Sequence, residues 1–444
     1  MPSSIPYIVG NEAAERFSFY GMKAIMMTYM TTALLMPKAE AAYFGHLFNF
    51  AVYLLPFFGA LLADMYWGKY NVVFKLSLVY CLGHLVLALP DNFLGCNSRY
   101  LFFLGLFLIA LGAGGIKSCV SAIVGDQFNK SNQSLLSKVF GWFYLSINIG
   151  SFVSMLLIPY LKEKYGFHLA FGVPGIFMAI ATLIFWLGRK KYILVPPVKT
   201  GYFKKVFGTE GIACIKKISI LFSFLILFWA VYDQNTYRWV DQAKGMDMHL
   251  FSSCTFLPDS ITQHSILIEQ VQAVNPILVL MFIPLFSYVI YPFIDRFYTF
   301  TLVRRIQWGL ILGIIASVIP LWIEYQTVRG ITLNITWQIL AYVLITASEV
   351  LISVSALELA YTQAPLSMKS LIMSFYLLPI AFGNLFAAEI NQLCGKYPLI
   401  FANEKYYAFF SIALLINTIL FFFYARNFKE EVILPDSDMT EEIK

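Results

Sequence analysis

Apolar runs about twenty residues long recur along the whole of this chain, and nothing constrains its fold more. A helix that crosses the hydrocarbon core of a bilayer needs about 20 such residues. The runs are unbroken and do not alternate with period two, so an outer-membrane-type barrel does not fit. Hydrophobic residues fill 59% of the 444 positions and charged residues 13%, with a mean hydropathy of +0.71. Soluble domains carry about 25% charged residues, and disorder requires low hydrophobicity with high net charge. Neither class suits this composition. The fold class is an all-α, multi-pass membrane protein.

Twelve spans can be drawn from the hydropathy pattern. They lie at about 14–36, 43–64, 71–89, 100–122, 138–160, 166–188, 216–236, 271–294, 302–324, 337–361, 369–391 and 405–425. Met1 to Asn11 holds no Lys or Arg, so the first span is expected to act as its own insertion signal and not as a cleaved leader. Six spans precede the segment 189–215, the most basic of the chain, with Arg189, Lys190, Lys191, Lys199, Lys204 and Lys205 closely followed by Lys216 and Lys217. The positive-inside rule places that segment in the cytoplasm. Both termini then fall on the cytoplasmic side, as do Lys69, Lys130, Lys138, Arg304 and Arg305. The expected units are a six-helix bundle at 1–188, a basic linker at 189–215, a second six-helix bundle at 216–425 and a polar tail at 426–444. This 6+6 arrangement resembles the major facilitator layout, in which two halves enclose a site at the midplane.

Several function classes fall away. The net charge of +6 needs no nucleic-acid partner, since no concentrated basic face is visible. The six cysteines show no metal-type spacing. Cys96 and Cys254 can both face the outer side, where a disulfide between them is feasible. No ATP-binding P-loop is present; Gly112 to Ser118 only faintly resembles one, in an apolar span and with the wrong spacing. No metal or other cofactor is expected, and the charge pattern does not suit hydrolysis, so no enzyme is expected.

Ionisable residues inside spans are expensive, at about 2.5–3.5 kcal/mol each on the insertion scale, and are usually functional. In the first span Glu12, Glu15 and Arg16 share one helix face, with Lys23 two turns further on. Two acids beside a base can shift their pairing on protonation. Alternatively, Glu12 and Glu15 are acids at a helix start, which leaves Lys23 unexplained. In the second span His46, Asn49 and Tyr53 share a face; the histidine is either a packed neutral ring or a group that titrates in the physiological range. In the fourth, Lys117 follows three glycines and either snorkels to the interface or points into a cavity. Tyr144 and Asn148 lie one turn apart in the fifth span, as do Trp229 and Asp233 in the seventh. Asn275-Pro276 invites a kink whose freed backbone groups are tolerable beside a cavity. Glu349 sits mid-span in the tenth; Glu358, half a rotation away, cannot reach the same site from a straight helix. Acids in both halves with bases mainly in the first suit a zwitterion held between the halves, with protons riding on the acids.

These same residues resemble the proton-coupled oligopeptide transporter (POT) family. Glu12-Ala-Ala-Glu15-Arg16-Phe17-Ser18-Phe19-Tyr20-Gly21 resembles the family's E-x-x-E-R-F-x-Y-Y-G. Gly59 to Lys69 resembles G-x-x-x-x-D-x-x-x-G-[KR]. Gly112 to Lys117 and Gly125-Asp126-Gln127-Phe128 resemble G-x-G-G-I-K and G-D-Q-F. Phe143 to Ser151 resembles F-Y-x-x-I-N-x-G-S. Phe228-Trp229 with Asp233-Gln234, Gln272 with Asn275-Pro276, and Tyr361 to Pro365 extend the match across spans one to eleven.

The resemblance implies a symporter that imports di- and tripeptides with protons. It implies that Glu12, Glu15 and Arg16 couple proton and substrate, and that Asp233 takes part in coupling and in an outer gate. Lys23 and Lys117 would receive the peptide carboxylate, and Glu349 its amino terminus. Tyr20, Tyr53, Asn148, Trp229 and Asn275 would line the pocket. His46 falls where animal members carry a histidine implicated in proton binding. A monomer in the cell membrane is expected, with the lipid bilayer as its surroundings. The chain departs from the pattern at Lys23, which replaces an arginine and loses bidentate capture. It departs also at Phe19, which is expected to remove a hydroxyl from the pocket, at Ser118 in place of a proline, and at Tyr376 in place of a tryptophan. Segment 349–370 looks like animal members, but their large outer domain before the tenth span is absent, and the two extra helices of bacterial members do not fit in 189–215. Two rival readings are the same fold carrying nitrate or another small solute, and a non-transporting membrane receptor or scaffold.

Overall fold

The computed structural model describes residues 1–90, 97–128, 136–194, 196–197, 208–250, 265–363, 372, 374–401 and 403–428. Cys96, Cys254, Lys130, Lys199, Lys204, Lys205 and Pro365 lie outside the described residues.

The first half contains α1 (Ile5–Thr28), α2 (Lys38–Leu62), α3 (Lys69–Leu87), α4 (Ser98–Asp126), α5 (Leu136–Tyr165) and α6 (Phe167–Leu187). π-helical stretches at Tyr29–Ala33 and Ala63–Trp67 extend α1 and α2. The seventh crossing is broken into α7 (Thr209–Ser223), α8 (Ile226–Tyr232), a 3₁₀ turn at Asp233–Thr236 and α9 (Arg238–Ala243), with a 41° bend. The eighth runs from a 3₁₀ turn (Ile268–Ala273) through α10 (Val274–Leu285) and a π stretch (Phe286–Ile290) into α11 (Tyr291–Asp295). Then follow α12 (Leu302–Val328), α13 (Thr336–Gln363), α14 (Leu378–Lys396), α15 (Pro398–Phe401) and α16 (Glu404–Arg426). Among the described residues nine helices are long and apolar enough to cross a membrane, and the bent pair makes ten. Adding α1, which carries four ionisable side chains, and α14 gives a count consistent with twelve crossings.

Two structural findings revise the sequence expectations. α1 begins at Ile5, well before position 14, so Glu12 and Glu15 stand inside the helix and not at its start. Their cost is therefore not explained by the helix dipole. Linker 189–215 is shortened by α7, which starts at Thr209.

Neighbour relations in the two halves repeat. α1 packs on α5 as α8 packs on α14, α2 on α4 as α10 on α13, α3 on α4 as α12 on α13, and α3 on α6 as α12 on α16. Each half has its own apolar core. The halves meet where α2 lies against α14 and α5 against the eighth crossing, contacts that are again equivalent to each other. Gly150 on α5 permits one close approach: a Cβ there would lie 2.5 Å from the Ala13 carbonyl oxygen of α1. Gly383 of α14 does the same against Ile226 of α8, where the distance would be 2.6 Å.

The two ends of the bundle differ. At the end bearing Pro37 and Lys244, here the distal end, polar bonds cross between the halves. Lys38 pairs with Asp241 at 3.0 Å and Lys162 with Glu269 at 2.7 Å. Lys244 Nζ donates to Thr31 Oγ1 at 3.2 Å, and the Tyr237 hydroxyl donates to the Gly45 carbonyl at 2.8 Å. At the end bearing Ile5 and Arg426, the terminal end, Lys69–Asp126 (2.7 Å), Lys191–Tyr7 (2.9 Å) and Arg305–Glu358 (3.9 Å) each join segments of one half. Glu358 is thus spent on α12, outside the site, as its half-rotation from Glu349 requires.

Candidate functional site

Between the halves lies a cavity of about 350 Å³. The first half supplies Arg16, Tyr20 and Lys23 from α1, Tyr53 from α2, Lys117 from α4, and Tyr144, Asn148, Ser151 and Met155 from α5. The second half supplies Trp229, Tyr232 and Asp233, then Gln272, Asn275 and Pro276 at the start of the eighth crossing, and Glu349, Ser353 and Tyr376. Helical spacing explains the alignment on α1: positions 16, 20 and 23 are four and three apart and stack on one face. Asn275 and Pro276 line the cavity from the first turn of α10, just after the 3₁₀ turn Ile268–Ala273; the expected kink is not at these two residues, which lie within regular α-helix.

Its charges are separated. On the first half Arg16 Nε sits 2.6 Å from Glu12 Oε1 and 3.1 Å from Glu15 Oε2, all three buried. The Tyr80 hydroxyl approaches Glu15 from α3 at 3.5 Å. Lys117 lies near enough to Glu15 for the two charges to act on each other. Its ammonium is seated 4.3 Å from the Phe19 ring centroid and 4.8 Å from that of Tyr53, a desolvated cation–π arrangement. On the second half Glu349 Oε2 accepts from Asn275 Nδ2 at 2.9 Å, and the Tyr232 hydroxyl also donates to this carboxylate. Asn275 is itself held by Thr346 Oγ1 at 3.0 Å.

A third cluster links the halves on the distal side. Lys23 Nζ lies 3.7 Å from Asp233 Oδ1. Asp233 also accepts from Asn49 Nδ2 at 3.3 Å and from Asn384 Nδ2. His46 Nδ1 meets Asn384 Oδ1 at 2.9 Å, with the ring edge-on to Tyr237. Among the described residues no three His, Cys, Asp or Glu side chains converge to hold a metal ion.

Of the residues expected at the site, Arg16, Tyr20, Lys23, Tyr53, Lys117, Asn148, Trp229, Asp233, Asn275 and Glu349 reach the cavity wall. Glu12, Glu15 and His46 stand behind it, touching wall residues or their neighbours. Phe19 corrects an expectation. It is fully buried off the wall, so its missing hydroxyl is lost from the seat of Lys117 and not from the pocket. Ser118, in place of proline, donates to the Pro56 carbonyl at 3.1 Å and so ties α4 to α2. Sequence reasoning passed over Tyr232, Met155, Ser353 and Asn384. Tyr232 carried a signal, since it lies three residues after Trp229, one turn along the same short helix. Asn384 did too, as an amide inside an apolar span.

The chain matches a family model described as POT family over residues 70–220 and 214–407. It is 35% identical over 369 residues to human "Solute carrier family 15 member 2", covering 73% of this chain and 49% of that protein. It is 35% identical over 355 residues to "Peptide transporter family 1" of Drosophila melanogaster, covering 70% and 46%. The chain thus spans about half the length of the curated relatives it matches. A crystal structure of an auto-inhibited POT family peptide transporter superimposes with a TM-score of 0.86 at 31% identity, over 98% of both chains. A second POT family transporter structure gives 0.84 at 33% identity, over 96% of this chain and 98% of that one.

Proposed function

The chain belongs to the POT family, and from that premise we propose that it is a proton-coupled symporter that imports di- and tripeptides by alternating access. One observation carries the reading. A cavity between two halves presents a cation, Lys117, on one wall and a carboxylate, Glu349, on the other. A peptide zwitterion matches that polarity, its carboxylate toward Lys117 and its ammonium toward Glu349. Charged groups lose solvation on entering such a cavity, and charge-assisted hydrogen bonds at both ends offset that cost. Asn148, Asn275 and the tyrosines Tyr20 and Tyr53 supply donors and acceptors for the backbone between them. Nitrate has no group for Glu349, which disfavours the rival cargo. A scaffold has no need of four ionisable side chains in α1.

Proton coupling is assigned to Glu12, Glu15, Arg16, His46 and Asp233. A proton on Glu12 or Glu15 weakens its hold on Arg16 and alters the charge presented to Lys117 and the substrate. A proton on Asp233 weakens its pair with Lys23, and with it one tie across the distal side. Placing the termini in the cytoplasm of a cell-membrane protein makes the distal seal the outer gate. The cavity is then in the arrangement that serves release to the cytoplasm. Purified protein in proteoliposomes, given labelled dipeptide, tests this reading. Uptake should rise with an inward proton gradient and be competed by di- and tripeptides but not by nitrate.

A further inference from the structure

Asn384 on α14 is fully buried where α2, α14 and the broken seventh crossing meet. One edge of its amide faces the Ile380 carbonyl at 2.9 Å. A backbone carbonyl can only accept, so this edge is the NH₂, and the same Nδ2 donates to Asp233 Oδ2. The opposite edge is therefore Oδ1. It receives Asn49 Nδ2 at 3.2 Å and stands 2.9 Å from His46 Nδ1. An amide oxygen cannot donate. His46 Nδ1 must then carry a hydrogen, an assignment made from the chemistry of the network and not from hydrogen positions. The remaining ring nitrogen, Nε2, has no hydrogen-bond partner among the described residues. In the neutral ring it holds the free lone pair.

We propose that Asn384 is a positioning residue for proton coupling: it fixes His46 in the Nδ1–H tautomer, leaves Nε2 as the atom that takes up the proton, and joins that histidine to Asp233. The inference rests on the reading of His46 as a coupling residue. The groups that face the ring from each packed element are Lys23 on α1, Asn49 on its own helix, Tyr237 and Arg238 on the seventh crossing, and Asn384 on α14. Lys23 and Arg238 oppose an imidazolium. Asp233 favours one, and Asn384 is the group that connects it to the ring. When Nε2 gains its proton, the Nδ1–H···Oδ1 bond becomes charge-assisted and strengthens. Asn384 Nδ2, polarised in turn, strengthens its bond to Asp233.

The test uses the full chain in lipid nanodiscs, ¹⁵N-labelled at histidine, with the His46 signals identified by their loss in His46→Gln. At neutral to alkaline pH the wild-type spectrum should show a protonated Nδ1 and a bare Nε2. On acidification the bare signal should convert. A wild-type ring with its hydrogen on Nε2 would overturn the proposal without any variant at Asn384. Asn384→Leu should give mixed tautomers and move half-maximal proton-driven uptake to about tenfold higher proton concentration, the loss of one hydrogen bond to a charged group. Asn384→Asp keeps an acceptor for His46 and should restore the Nδ1–H tautomer while leaving coupling impaired. An unchanged tautomer and pH profile in Asn384→Leu sinks the inference alone. An unchanged pH profile in His46→Gln sinks the coupling role of His46 beneath it.

Discussion

Neutralising Glu269 should open the distal end. Its carboxylate lies 2.7 Å from Lys162 Nζ, with side chains 3% and 12% exposed respectively. The other acid near Lys162, Glu163, is 3.9 Å away and 66% exposed, so it is a weak substitute. Removing one partner of a buried ion pair costs about 3–5 kcal/mol. In Glu269→Gln one hydrogen bond survives and Lys162 keeps some contact with solvent, which reduces the figure to about 2 kcal/mol. At about 1.4 kcal/mol per tenfold, this changes an equilibrium by roughly thirtyfold. The pair joins α5 to the 3₁₀ turn Ile268–Ala273, one residue from each half, so the cost falls on the state in which this end is closed. Spin labels at Leu35 and Leu399, which are 81% and 87% exposed, report the separation across the distal end. Double electron–electron resonance should show the long-distance population rising by about that factor relative to the short one. The swap Lys162→Glu with Glu269→Lys should recover the original distribution, the coupling expected of a double-mutant cycle. If neither single variants nor the swap move the distance distribution, the pair does not hold the seal and the reasoning fails.

Three further outcomes follow from the geometry. Glu349→Gln should raise the half-saturation concentration of a free-amino dipeptide about thirtyfold, roughly 2 kcal/mol for one charge-assisted bond, and leave an N-acetylated competitor unaffected. Lys117→Met should weaken dipeptide binding by a similar factor in competition assays, while a carboxyl-amidated dipeptide binds wild type and variant alike. Gly150→Ala places a methyl 2.5 Å from the Ala13 carbonyl oxygen and 3.1 Å from the Phe17 nitrogen. Backbone atoms cannot step aside, so α1 and α5 must separate at a cost of about 1–3 kcal/mol, read as a lower midpoint in a thermal-shift measurement.

The class of fold was legible because a bilayer sets helix length, and the apolar runs repeat that length. Boundaries were less so. α1 starts at Ile5 because Ile5 and Ile8 bury against the first core, a tertiary contact that hydropathy does not display. Most of the cavity wall was also legible, since a charge or amide inside a span must be compensated and therefore marks a site. What the sequence could not display was which charges pair. Lys23 shares a helix face with Arg16, yet its partner, Asp233, lies 210 positions away across the halves. Nor could it show that Phe19 turns its ring to Lys117 and not to the pocket. Asn384 was hidden for the same reason: a lone amide acquires meaning only from the His46 and Asp233 side chains that the fold brings to its two edges.

The central claim is that Lys117 and Glu349 hold a peptide zwitterion whose movement is driven by protons. Proteoliposomes loaded at neutral pH and diluted into acidic buffer with labelled dipeptide measure this directly. Accumulation above the equilibrium level, lost on adding an uncoupler, is the predicted result. Uptake that only equilibrates, at the same rate with or without the gradient, would contradict it.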